Sequence, residues 1–148
     1  LPELTKKYNV IHLCGKGNID ESYIGTEHYV QFDYIKQELA DLLALADIVV
    51  SRAGANAICE LLALRKPSVL IPLSLAASRG DQILNAQSFD KRGYAKLLLE
   101  EDLTNDSLLA AVNEVYENHD HYIKAMELST KSDAITMICD MIDELADK

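Results

Sequence analysis

Short apolar, β-branched runs alternate along the chain with stretches of helical periodicity. Tyr8, Asn9, Val10, Ile11, His12 and Leu13 predict a strand that ends in Cys14, Gly15, Lys16, Gly17 and Asn18. His28 to Phe32 predicts a second strand, and Tyr94 to Leu99 a fifth. Between them, Ile48, Val49, Val50 and Ser51 form a β-branched run of the kind buried on both faces, and Ser68 to Ile71 forms another, closed by Pro72. Helical patterning covers residues 37–46, 55–64 and 81–91. Strands alternating with helices of this length imply βαβ crossovers, hence a Rossmann-like, doubly wound parallel sheet with helices on both faces. From about residue 102 the pattern is helical alone. Thr104, Asn105, Asp106 and Ser107 make a helix start before Leu108, Leu109 and Val112. Ser132 and Asp133 precede a final amphipathic stretch carrying Ile135, Ile138, Met141, Ile142 and Leu145. With no repeat and no Pro/Gly linker, residues 1–148 read as one α/β domain.

The opening stretch, residues 2–7, is helical in character. A doubly wound domain usually starts with its central strand and a glycine-rich turn, so that unit is expected to lie before Leu1. The start at Leu1 rather than methionine fits a piece of a longer polypeptide, and no basic-then-apolar leader is visible. The 148 residues, 49% hydrophobic and 26% charged, suit a single globular core and exclude disorder. No apolar run approaches the ~18 residues of a spanning helix. A formal charge of −10 argues against nucleic acid and anionic lipid as partners of this domain. Three scattered cysteines, Cys14, Cys59 and Cys139, make neither a disulfide framework nor a metal motif, which favours a reducing, cytosolic compartment.

Open parallel sheets take ligands beyond the carboxyl ends of their strands, so the loops there carry the candidate chemistry. The most informative is Ser51, Arg52, Ala53, Gly54, Ala55, Asn56, Ala57. Gly54 leaves room for close approach, and a helix starting near Ala55 presents free N–H groups and a positive dipole end to a diphosphate. Glu60, four residues after Asn56 and three after Ala57, shares that helix face. It cannot hold phosphate, but it can accept two hydrogen bonds from a ribose diol. A tight turn followed by a solvated glutamate explains the spacing equally well, although an acid among Ile58, Leu61, Leu62 and Leu64 ordinarily has a partner. In the second loop, 72–80, Ser78 and Asp81 suggest a capping box, and Asp81, Gln82 and Asn85 offer polar groups to sugar hydroxyls or simply cap the helix. Gly15, Lys16, Gly17 and Asn18 match no phosphate-binding motif and read as a turn. His12, His28, His119 and His121 show no metal-ligand grouping; the last two flank Asp120 in an expected helix-ending loop, and Cys59 is expected to be buried in its helix. No nucleophile triad or zinc motif emerges, and no cofactor is implied.

At these residues the chain resembles a known family. The run from Ala46 through Ser51, Arg52, Ala53, Gly54 and Ala55, then Glu60, Pro67 to Pro72, and Gly80, Asp81, Gln82, Asn85, Ala86 is similar to the C-terminal domain of the MurG family, the N-acetylglucosaminyltransferases of peptidoglycan synthesis. The resemblance implies the C-terminal half of a GT-B glycosyltransferase, in which this domain holds UDP-GlcNAc and an N-terminal domain holds the lipid-linked acceptor, lipid I. It implies a role in cell-wall biogenesis, and with it cell shape and division, at the cytoplasmic face of the membrane, where the full-length enzyme sits peripherally. Glu60 would bind the ribose hydroxyls, and Gly54, Ala55, Asn56 and Ala57 would face the diphosphate and nucleoside. Asp81, Gln82 and Asn85 would meet the GlcNAc, and Ile35, beside Tyr34, would lie by the uracil. Ala57 stands where the family commonly has a hydroxyl, Asp81 where it often has glutamine, and a one-residue shift is needed near Lys36. The family's glycine-rich loop, acceptor domain and general base fall outside this chain.

Two classes of function follow from these readings. One is the donor half of an inverting, metal-independent glycosyltransferase that makes lipid II, inactive by itself. The other is a nucleotide-sugar binding subunit that needs a separate partner chain, as in the eukaryotic dolichol-linked GlcNAc transferase. A Rossmann-like scaffold without a ligand is the remaining alternative.

Overall fold

A computed structural model describes residues 1–77 and 79–129; Ser78 and the expected final helix lie outside the described residues. The elements are helix α1 (Pro2–Thr5), strand β1 (Val10–Leu13), strand β2 (Tyr29–Phe32), helix α2 (Leu39–Leu45), strand β3 (Val49–Ser51) and helix α3 (Ala55–Ala63). Strand β4 (Ser68–Leu70), helix α4 (Asp81–Lys91), strand β5 (Ala95–Leu97), helix α5 (Asn105–Glu117) and helix α6 (His119–Ser129) follow. Single 3₁₀ turns, Glu21–Tyr23 and Glu100–Asp102, were not anticipated from the sequence.

All pairings are parallel, but the strands form two sheets, β1-β2 and β3-β4-β5. In the larger sheet Ser51, Leu70 and Leu97 stand in register, so the loops after β3, β4 and β5 leave from one edge. The first helix joins the two parts: Leu4 and Tyr8 pack on the α5 side of the core, and the Tyr8 hydroxyl donates to Asn113 Oδ1 at 2.6 Å.

The core explains why β4 organises the larger sheet. Alternation along a strand sends successive side chains to opposite faces. Val69 and Ile71 enter one cluster with Val112 and Val115 of α5 and Tyr122 and Met126 of α6. Leu70 enters the other, with Ile58 and Leu61 of α3 and Ala86 of α4. Helices therefore cover both faces, as the alternating pattern predicts. Helix α5 starts where expected, with a reciprocal cap in which the Ser107 amide donates to Thr104 Oγ1 at 3.0 Å and the Thr104 amide to Ser107 Oγ at 2.8 Å.

Three expectations are corrected. Strand β3 is not buried on both faces: Val50 is 47% exposed, and among the described residues β3 is an edge of its sheet, paired only with β4. Cys59 is exposed, lying on the side of α3 away from Ile58 and Leu61. His119 and His121 belong to the first turn of α6 rather than to a loop.

Leu70, fully buried between the two layers, is predicted to cost about 2–5 kcal/mol on truncation to alanine, whereas Val50→Ala should cost under ~1 kcal/mol. Urea denaturation of both variants checks the contrast, and equal losses would contradict the assignment of β4 as the doubly buried strand.

Candidate functional site

Directly after β3, Gly54 serves as the N-cap of α3 with φ −66° and ψ 144°, an extended conformation open to any residue. What glycine supplies here is space: no atom lies within 4 Å of where a Cβ would stand. Among the described residues no side chain caps the helix, so the first-turn amides of Ala55, Asn56 and Ala57 are left for water or a ligand. Asn56 is exposed and Ala57 half-buried. Glu60 is exposed, as the solvated-glutamate alternative has it, although its apolar neighbours suggested a partner. Its carboxylate makes no hydrogen bond or ion pair among the described residues, because Ile58 and Leu61 turn inward and leave it on the outer face. An anion-attracting helix end and an unclaimed carboxylate one turn on thus coexist on α3, with the backbone donors preceding the acceptor.

The second loop enters α4 through Gly80, whose left-handed φ of +86° favours glycine. Asp81 then begins the helix exposed to solvent. Gln82 and Asn85 are half-buried and already engaged. Gln82 Oε1 accepts from the Leu73 amide at 3.1 Å, and Asn85 Nδ2 donates to the Ala53 carbonyl at 3.1 Å. Both therefore tie α4 to neighbouring loops, which the sequence did not reveal. The proposed capping contact of Ser78 lies outside the described residues.

Two residues missed as a pair connect the same edge. Arg52 Nη1 sits 2.9 Å from Glu100 Oε1 and donates to the Ile71 carbonyl at 3.2 Å. Glu100 Oε2 accepts from the Ser74 amide at 3.0 Å. The Ser74 amide and hydroxyl, and then Arg52, hold the Glu100 carboxyl below its ordinary range. The only sequence signals were an arginine and a glutamate each just beyond a strand end, 48 residues apart.

Ile35 is half-buried after β2, in the part of the chain built on the smaller sheet. The loop 14–18 is a turn, as expected: Asn18 Nδ2 donates to the Cys14 carbonyl at 3.2 Å, and the Gly17 amide donates to Asp33 Oδ1 at 2.6 Å.

This arrangement can be compared with known proteins. Residues 1–138 match the glycosyltransferase family 28 C-terminal domain. The chain belongs to this family. The domain is 60% identical over 99% of the chain to the UDP-N-acetylglucosamine--N-acetylmuramyl-(pentapeptide) pyrophosphoryl-undecaprenol N-acetylglucosamine transferase of Geobacillus thermodenitrificans. It is 59% identical over 98% of the chain to the protein of the same name from Lachnoclostridium phytofermentans. In each case the chain spans 41% of the relative's length. The fold is that of Acinetobacter baumannii MurG, with a TM-score of 0.74 over 97% of this chain and 43% of that one, at 20% identity. The resemblance read from the motifs, and the parallel α/β fold it implied, are thus upheld for this family 28 domain.

The Glu100 carboxyl lies below its ordinary 4.5 in the folded chain. Its bond to the Ser74 amide is therefore complete above that value and is lost as pH falls through the lowered one. The Ser74 amide chemical shift should titrate with a midpoint below 4.5 and should not titrate in E100Q; a midpoint at or above 4.5 would contradict the contact.

Proposed function

We propose that this domain is the donor-binding half of a glycosyltransferase that moves GlcNAc from UDP-GlcNAc to lipid I, forming lipid II in peptidoglycan synthesis. The observation that carries the reading is the pairing, on α3, of an uncapped N-terminus with the unengaged Glu60 carboxylate. It occurs in a domain 60% identical to a transferase named for this reaction. In this reading Ala55, Asn56 and Ala57 turn their amides to the UDP diphosphate, Gly54 gives it room, and Glu60 accepts from both ribose hydroxyls. Asp81 meets the GlcNAc hydroxyls from the first turn of α4. Gln82 and Asn85 meet them with the amide atoms their loop bonds leave over: Nε2 in Gln82 and Oδ1 in Asn85. Ile35 lies beside the uracil.

The reaction displaces UDP from the anomeric carbon. The acceptor hydroxyl supplies the electron pair for the new C–O bond, and the old bonding pair leaves on the diphosphate. Charge then grows on the leaving phosphate, where the α3 amides and helix dipole stabilise it most. The hydroxyl proton goes to a base on the acceptor-binding domain, which in this reading precedes Leu1 together with a further strand of the sheet. Two edges support that completion: among the described residues β1 and β3, like β2 and β5, are each paired on one side only, and Ile11, Leu13 and Val50 on β1 and β3 are left exposed. With that domain attached, the enzyme works on its lipid acceptor at the cytoplasmic face of the membrane. Among the described residues no helix is long and apolar enough to cross a membrane.

Glu60→Ala should weaken UDP binding about tenfold or more, since hydrogen bonds to a charged acceptor are worth roughly 1.5–3 kcal/mol each. Equal affinities by calorimetry, with both proteins folded by circular dichroism, would remove Glu60 from the site. The chain alone should transfer no sugar from labelled UDP-GlcNAc to a lipid I analogue, because it lacks the platform that orients the acceptor. Turnover above background would instead mark an autonomous subunit.

A further inference from the structure

An arginine next to a diphosphate-binding helix start is the obvious anion ligand, and Arg52 stands two residues before Gly54. Its geometry is otherwise. The guanidinium is held by the Glu100 carboxylate at 2.9 Å and donates to the Ile71 carbonyl at 3.2 Å. Through its second oxygen, Glu100 holds the Ser74 amide at 3.0 Å. These contacts join the segments that follow β3, β4 and β5, which the parallel register brings to one edge. Gln82 reaches the same segment from α4, accepting from the Leu73 amide. The stretch from Ile71 to Ser74 is thus held at the Ile71 carbonyl and the Leu73 and Ser74 amides by side chains from three other parts of the fold. Beyond it, Ala77 closes a turn on the Ser74 carbonyl at 3.0 Å, and the chain runs through Gly80 into Asp81.

We infer that Arg52 and Glu100 are positioning residues that set the 71–77 segment, and with it the sugar end of the donor site, without contacting the donor. This rests on the UDP-GlcNAc reading above and adds a division of labour to it: α3 binds the nucleotide, while the Arg52–Glu100–Ser74 brace controls discrimination at the sugar. A carboxylate shared by a guanidinium and a backbone amide suits the task. It fixes direction as well as distance, and removing the charge weakens both bonds at once.

The test is a nuclear magnetic resonance titration of the 148-residue chain with UDP-GlcNAc and with UDP, for wild type, R52Q, E100Q and the double variant. The Ser74 amide serves as an internal reporter of the brace. Each single variant should release the Ser74 amide to faster exchange and lower the ratio of UDP-GlcNAc to UDP affinity by about fivefold or more, while UDP affinity stays within about twofold. The double variant should be no worse than the poorer single one, because the two residues act as one unit. An unchanged affinity ratio with a released Ser74 amide overturns the positioning role. Loss of UDP affinity in R52Q but not in E100Q also overturns it, making Arg52 a diphosphate ligand. A wild-type chain that binds neither nucleotide defeats the functional reading and the positioning role together, and a Ser74 amide still protected by Glu100 tells that outcome apart from a missing brace.

Discussion

The burial of β4 on both faces is the constraint on which the larger sheet depends. Val69 and Leu70 are inaccessible to solvent and point into different helical layers. A slip of one residue would exchange the two faces, so the register with β3 and β5 is fixed by packing rather than by hydrogen bonds alone. Parallel strands in fixed register must release their following loops at one edge. The start of α3, the 71–77 segment and Glu100 are neighbours for that reason, although they are far apart in sequence.

At that edge the proposed site is made mostly of main chain. The start of α3 offers amides and a dipole end, which cost no side-chain entropy to organise and respond to negative charge. Side chains do different work. Glu60 stays exposed and unengaged, whereas Arg52, Gln82, Asn85 and Glu100 spend hydrogen bonds on neighbouring backbone. If the proposed donor binds here, preorganisation of this kind lowers the ordering cost that it would otherwise impose on the loop.

Much of this was legible in the sequence, for identifiable reasons. Hydrophobic period alone located five strands and the main helices, because burial selects the same pattern that predicts it. The helix start after Gly54 and the polar first turn of α4 could be read because they are local. The errors came from tertiary facts. Val50 looked buried because β-branched runs usually are, yet β3 has an open side. Glu60 looked partnered and Cys59 buried because composition does not say which way a short helix is turned on its sheet. Gln82 and Asn85 read as free polar groups, and the Arg52–Glu100 pair was invisible, since contacts between separate strand ends leave no spacing to detect.

The central claim is that the start of α3 is the nucleotide site. Backbone amide shifts of the 148-residue chain, followed during addition of UDP, test it most directly. The account predicts the largest saturable changes at Ala55, Asn56 and Ala57, with Glu60 next and β5 unmoved. Saturable binding that leaves those three amides unchanged and shifts residues elsewhere would contradict it.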